Sequence, residues 1–498
     1  MPVQPGMAMG LTSCSAPLAS YLAGFRHGAM PFLRQPRFNR PASQHGAMRL
    51  FRCLLAVLLT ATLATQPVAA QSILRDAETE AFLNDLALPI GNAAGLRPGA
   101  LKVVLIGDKE INAFVVGGQV VYIHSGLIMA ADNAGEVQGV IAHEVGHIAG
   151  GHVISGSSMA KAAGGISILS LLVGVAAMAA GAGEAGMAAM AAGQQAAMGR
   201  YLSFSRAQES SADAAGAGFL RKAHLSGKGM LSFFGKLRQE EYRYSSSYQK
   251  TDPFQQTHPM SAERQATLTG DITASPYFAV PTDPALEARF LRIKGKLFGF
   301  TQDPPVTLAK FPESDQSAQA RYARTYAWHR GAYPDRAVTE VDKLVASAPH
   351  DPYYLELKGQ VLLESGRPKD AIVPLREAVA ARPDQPLISA LLGHALIASE
   401  DPANLAEAKR VLRVAVQRDD ENPFAWYQLG VIYAGEGDTA RALLASAERY
   451  SLSGESRLAM QNAEAALRGI PPGTSDYIRA QDIALASRAE VDALRRRR

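Results

Sequence analysis

Cysteine is almost missing from this chain. Its 498 residues contain two, Cys14 and Cys53, so everything after residue 53 is without a disulfide framework or a thiolate metal site. Acidic residues are missing from the first 75 positions, where Arg26, Arg34, Arg37, Arg40, Arg49 and Arg52 lie. Removing residues 1–70, which carry six arginines and no acid, turns the net charge of +4 into −2. A nucleic-acid footprint is thereby excluded. Long, strongly hydrophobic runs are also missing. Cys53–Ala64 is too short for a ~30 Å hydrocarbon core. Ala162–Gly183 is uncharged and long enough, but it is built largely of Gly and Ala. What remains is 47% hydrophobic and 19% charged, an ordinary globular composition that at about 100–200 residues per domain allows two to four domains.

The N-terminus reads as an address. Met48–Arg52 is a short basic region, Cys53–Ala64 is apolar, and Val68-Ala69-Ala70 supplies small residues for a signal peptidase. This order marks a cleaved secretory signal over residues 48–70, with the mature protein starting near Gln71 and exported to the periplasm. Residues 1–47 have no sustained periodicity and are expected to be a non-native extension ahead of the true start. A transit peptide is the second reading of the same Arg-bearing, acid-free stretch.

Beyond the signal, a helical pattern covers Asp76 to about Leu88. Three β-branched runs follow, Leu101–Gly107, Ile111–Val116 and Val120–His124, the last two separated by Gly117-Gly118. Helical patterns resume after Ser125. Strands followed by helices predict an α+β domain over 71–300. Thr301–Ser317, with three prolines, reads as a linker. The chain then repeats. Gly359 and Gly393 are 34 residues apart, the tetratricopeptide period. Leu355, Leu362, Gly366, Ala371, Leu375, Ala378 and Pro383 keep that register, as do Trp426, Leu429, Tyr433, Gly437 and Ala442 around Gly430. A three-residue insertion near Glu400–Asn404 lengthens the middle unit. Ala337 and Pro349 place a degenerate first repeat from about Ala318. An all-α solenoid over 318–490 is therefore expected, closed by an atypical unit and a solvated basic tail, 491–498.

The chemistry lies at His143-Glu144-Val145-Gly146-His147. On a helix, positions i and i+4 share a face, so two imidazole nitrogens meet one ion, at ~2.0–2.1 Å for zinc. Glu144, one position on, reaches a water beside the ion and takes its proton during peptide hydrolysis. A catalytic zinc also needs a third protein ligand and an open position. Metzincin spacing would put a histidine at Val153, and His152, after Gly150-Gly151, is expected to point elsewhere. Glu184 stands alone in the apolar stretch. Glu209 and Asp213 share a helical face, which suits one carboxylate on the metal and one behind it, orienting a ligand imidazole. A solvated helix face would show the same spacing.

His143–His147, then Glu209-x-x-Ala212-Asp213, together with Asn112-Ala113-Phe114, Gly126-Leu127 and His258-Pro259, resembles the zinc endopeptidase family that contains HtpX and the CAAX prenyl proteases. With the repeats, the resemblance runs from residue 75 to about 490. It implies a zincin-like fold and one zinc per chain on His143, His147 and Glu209. It implies Glu144 as general base, Asp213 behind the ligands and His258 near the metal. Pro259 holds His258 in extended backbone. From a loop, its ring can fill the open metal position and silence the enzyme, or swing aside and stabilise an oxyanion. A surface histidine is the plain alternative. The resemblance further implies a substrate edge strand, here Val120, Val121, Tyr122, Ile123 and His124, that pairs with an extended substrate. His124 reads first as an ordinary strand residue, ahead of any catalytic one.

Joined to the repeats and the export signal, the resemblance implies a periplasmic zinc endopeptidase acting in quality control and assembly of outer-membrane proteins. Its substrates would be unfolded or misassembled barrels, and its repeats would dock barrel-assembly machinery without performing chemistry. Two other functions fit the same sequence. One is a periplasmic chaperone or adaptor with a latent metal site. The other is an inner-membrane protease with Ala162–Gly183 inserted, although that segment also reads as a membrane-touching lid or a buried helix.

Overall fold

A computed structural model describes residues 72–152, 155, 166–175, 183–245, 258 and 262–496. The extension, the signal peptide and half of Ala162–Gly183 lie outside the described residues. Helix α1 (Ala77–Ala93) starts where Asp76 accepts the Thr79 N–H at 2.9 Å, which satisfies a donor that a helix start otherwise leaves unpaired. A four-stranded sheet follows, with β1 (Ser72–Ile73), β2 (Lys102–Gly107), β3 (Ala113–Val115) and β4 (Val120–His124) in the order β1-β2-β4-β3. Strand β3 turns into β4 through Gly117 and Gly118 at φ of +63° and +64°, a backbone that residues with a Cβ rarely adopt. Val121 and Ile123 alternate into the core with no exposed surface, the period-2 signature of a strand with one face covered.

The sheet corrects one expectation. Val120–His124 is no edge. It pairs in parallel with β2, from Lys102↔Val120 to Ile106↔His124, and antiparallel with β3, from Ala113↔Ile123 to Val115↔Val121. Both sides of its backbone are occupied. The outer strand on that side is β3, only three residues long. Sequence shows that a run is β; it does not show which neighbour takes each side.

Helix α2 (Ser125–Ala130) leads to α3 (Ala134–Ala149), whose start is capped by Asn133 accepting the Glu136 N–H. Helices α4 (Gly183–Lys222), α5 (Lys228–Ser245), α6 (Ala262–Thr273) and α7 (Pro284–Thr301) complete this part of the molecule. One apolar core joins α1, the sheet, α3, α5 and α7, with Phe82, Ile123, Ile141, Phe233 and Phe290 fully buried.

The segment expected as a linker is structured. Helix α8 (Pro304–Lys310) occupies it, and α7 packs directly on α9 (Ala318–Arg330). Antiparallel pairs continue with α10 (Pro334–Ser347), α11 (Pro352–Glu364), α12 (Pro368–Ala381) and α13 (Pro386–Ala398), then α14 (Leu405–Arg418), α15 (Pro423–Gly435), α16 (Thr439–Leu452), α17 (Ser456–Leu467) and α18 (Ser475–Arg496). Proline opens α10, α11, α12, α13 and α15, where the missing N–H is not needed. Gly359 sits against Leu375 and Gly393 against Leu412, the close helix approach that the repeat register calls for. The extra residues form a single 3₁₀ turn, Pro402–Asn404. The closing unit exists as α17 and α18, and α18 carries the basic end as helix to Arg496.

Catalytic and repeat regions do not separate at residue 317. Glu78, at the start of α1, accepts the Tyr322 hydroxyl at 2.8 Å, pairs with Arg292 at 2.7 Å and lies 3.5 Å from Lys296. Lys296 also pairs with Asp76, Arg292 with Asp351, and Arg75 with Asp419. Glu78 and Tyr322 have no exposed surface, and Lys296 is buried. Removing one member of such a cluster strands its partners in low dielectric. Lys296→Ala is expected to lower the stability of the full chain by about 3–5 kcal/mol, read as the urea midpoint. An unchanged midpoint would show that Asp76 and Glu78 do not depend on this cation.

Candidate metal centre

Helix α3 presents His143 and His147 one turn apart, and α4 crosses it carrying Glu209 and Asp213. Small residues set how near the two helices come. A Cβ on Gly146 would stand 2.5 Å from the Ala212 carbonyl oxygen, and one on Gly216 2.9 Å from that of Ala142. No real side chain tolerates such contacts, so glycine on each helix is what lets the backbones meet.

At this crossing the four groups converge. His143 Nε2 lies 3.1 Å from His147 Nε2 and 3.4 Å from Glu209 Oε2. His147 Nε2 lies 3.4 Å from Glu209 Oε1. His258 Nδ1 is 3.2 Å from His143 Nε2 and 3.1 Å from both Glu209 oxygens. All four residues are buried, and one donor atom from each lies within 4.8 Å of every other. Three imidazoles and a carboxylate around one point form a donor set that suits zinc. Glu144 is 1% exposed, and its Oε1 has no hydrogen-bond partner, the condition of a base awaiting a water. Its nearest ring nitrogen is His258 Nε2, at 3.7 Å.

The supports behind the cluster are charged. Asp213 Oδ1 is 2.9 Å from His143 Nδ1, the nitrogen turned away from the centre. Arg264 on α6 donates to both Asp213 oxygens at 2.7 and 2.9 Å and stands 3.2 Å from Glu209. Burial works against charge on His143, but the Asp213 and Glu209 carboxylates prevail and push it up to about 10. Burial likewise opposes ionisation of Glu209, yet His258, His143 and His147 hold its carboxyl far below the usual range. Asp213 shifts the same way through His143 and Arg264, against its own burial. His147 shifts downward, chiefly because it is buried. The site therefore favours positive charge at its centre, which a divalent cation supplies without protons.

The structure thus brings His143, Glu144, His147, Glu209, Asp213 and His258 together. Glu184 lies 25 residues before Glu209 on the same helix, roughly 37 Å along its axis, and takes no part. Two partners escape sequence reasoning. Arg264 gives no local signal beyond following His258 by six positions. His152 is not among the four converging donors, but it lies against the outer side of His147: its Nδ1 is 3.0 Å from His147 Nδ1, and Gln208 donates to its carbonyl at 3.2 Å. The turn at Gly150-Gly151 folds it back over the helix end, Gly151 taking a φ of +61°.

Comparison with known proteins agrees with this geometry. Residues 73–272 match peptidase family M48. The beta-barrel assembly-enhancing protease of Yersinia pestis is 24% identical over 373 residues, 74% of each chain. The protein of that name from Escherichia coli strain K12 is 24% identical over 378 residues, 75% of each chain. The Escherichia coli metalloprotease LoiP is 33% identical over 194 residues, 39% of this chain and 70% of LoiP. The chain belongs to peptidase family M48 and is a metalloendopeptidase.

Proposed function

We propose that this M48 peptidase is a zinc enzyme of the periplasm that cleaves outer-membrane proteins failing to assemble, with its repeats docking barrel-assembly machinery. The observation that carries the reading is the buried convergence of His143, His147, Glu209 and His258 beside Glu144, whose Oε1 accepts no hydrogen bond. The names of two relatives aligned over three quarters of their length point to barrel assembly. The signal at residues 48–70 supports export.

His143, His147 and Glu209 hold the ion, and Asp213 fixes the His143 ring through its outer nitrogen. Zinc, when bound, polarises water and the scissile carbonyl. Glu144 takes the proton that water gives up and passes it to the leaving amine. A substrate strand pairs with the outer edge of β3, against which α3 packs, so the bond to be cut runs beside the metal-binding helix. Hydrogen bonding to main chain gives broad sequence tolerance. Among the described residues no helix is long and apolar enough to cross a membrane. Ile168, Leu169, Leu171, Leu172, Val173 and Val175 are all at least half exposed, and we assign them to contact with apolar substrate segments or lipid.

His258 supports a latent resting state. With its Nδ1 beside His143 and Glu209, the protein provides four donors, and a closed tetrahedral set leaves no position for water. Withdrawal of the His258 ring from this position would open the site. The latch is therefore the role we assign to it, ahead of oxyanion stabilisation.

Glu144→Gln keeps the shape of the side chain but cannot take up a proton. It is expected to cut hydrolysis of an unfolded barrel protein by about 10²–10⁴-fold while zinc content per chain stays at the wild-type level. Retained turnover would remove Glu144 as the base. His258→Ala is expected to raise cleavage several-fold, self-cleavage included, as seen on gels of purified protein. A fall in activity would favour oxyanion stabilisation, and wild-type patterns would make His258 a bystander.

A further inference from the structure

We propose that Asp108, Glu110 and His124 form a second divalent-cation site, separate from the His143 cluster, that braces the turn leading into strand β3. The carrying observation is His124. Its side chain is 1% exposed, and both ring nitrogens are shielded from solvent without a hydrogen-bond partner. A neutral imidazole has one N–H that needs an acceptor and one nitrogen whose lone pair needs a donor or a cation, so burying both unmatched is costly. A cation takes up the lone pair. One ring nitrogen lies within 4.8 Å of carboxylate oxygens from both Asp108 and Glu110.

The backbone around the three residues is held in place. The Asp108 carbonyl accepts the Gly126 N–H at 2.8 Å and the Ser125 hydroxyl at 2.7 Å. The Glu110 N–H donates to Asp108 Oδ1 at 2.9 Å, and the His124 N–H donates to the Asn112 carbonyl at 2.9 Å. A Cβ on Gly126 would stand 2.2 Å from the Lys109 carbonyl oxygen, so the 108–110 turn lies hard against the residues that follow His124. Glu110 is exposed and free to close on an ion. One imidazole with two carboxylates suits Zn²⁺ or Mn²⁺, with water completing the coordination. Such an ion ties the ends of β2 and β4 to the turn before β3, the strand that would receive substrate.

The test is equilibrium dialysis of the full mature chain against Zn²⁺, with bound metal measured by elemental analysis. Wild type is expected to hold two equivalents. His124→Gln should hold one, and Glu110→Gln should bind the second at least about tenfold more weakly, as expected when a ligand is lost. Because Glu110 is exposed, that variant decides the matter should His124→Gln fail to fold. A wild-type chain saturating at one equivalent, or two equivalents bound unchanged by Glu110→Gln, would overturn the second site. The same data would leave the His143 centre standing, since its equivalent is independent of these residues.

Discussion

Everything chemical in this molecule depends on how closely α3 and α4 cross. Helix axes in ordinary packing stand 8–10 Å apart, at a distance set by the side chains between them. Here Gly146 meets Ala212 and Gly216 meets Ala142 at distances that exclude any larger residue. That contact, made only a few residues from His143, His147, Glu209 and Asp213, puts imidazole nitrogens within 3.4 Å of a carboxylate. One added methyl would act as a wedge. The cost would fall on the donor distances before it fell on the fold.

Charge then stabilises what the packing brings together. Glu209 and Asp213 face His143, His147, His258 and Arg264 in a region with little water. A carboxylate buried there without partners would protonate; these are instead held ionised. Arg264 is the quiet member, bidentate on Asp213 and beside Glu209. It also ties α6, which begins four residues after His258, to the metal-binding crossing.

The core of the site was legible because its information is local. Two histidines at i and i+4, a carboxylate pair with the same spacing, and a 34-residue repeat survive without any knowledge of the fold. What was illegible was relational. Val120–His124 reads as a good strand whether central or at an edge, and only pairing with β2 and β3 makes it central. His152 returns to His147 through the backbone sign of one glycine. Thr301–Ser317 has the composition of a linker, yet α8 runs through it and the helices on either side, α7 and α9, pack on each other. The buried contacts of Glu78 with Tyr322, Arg292 and Lys296 join residues more than 200 positions apart. They make the repeats and the metal cluster parts of one folded unit.

The closed arrangement of donors is open to direct observation by X-ray absorption at the zinc edge of the resting full chain. Three imidazole nitrogens and one carboxylate oxygen are expected at about 2.0–2.2 Å, with one imidazole contribution lost in His258→Ala. A resting wild-type shell with only two imidazoles would contradict the closed cluster, and a shell without carboxylate would contradict the placement of Glu209 by the helix crossing.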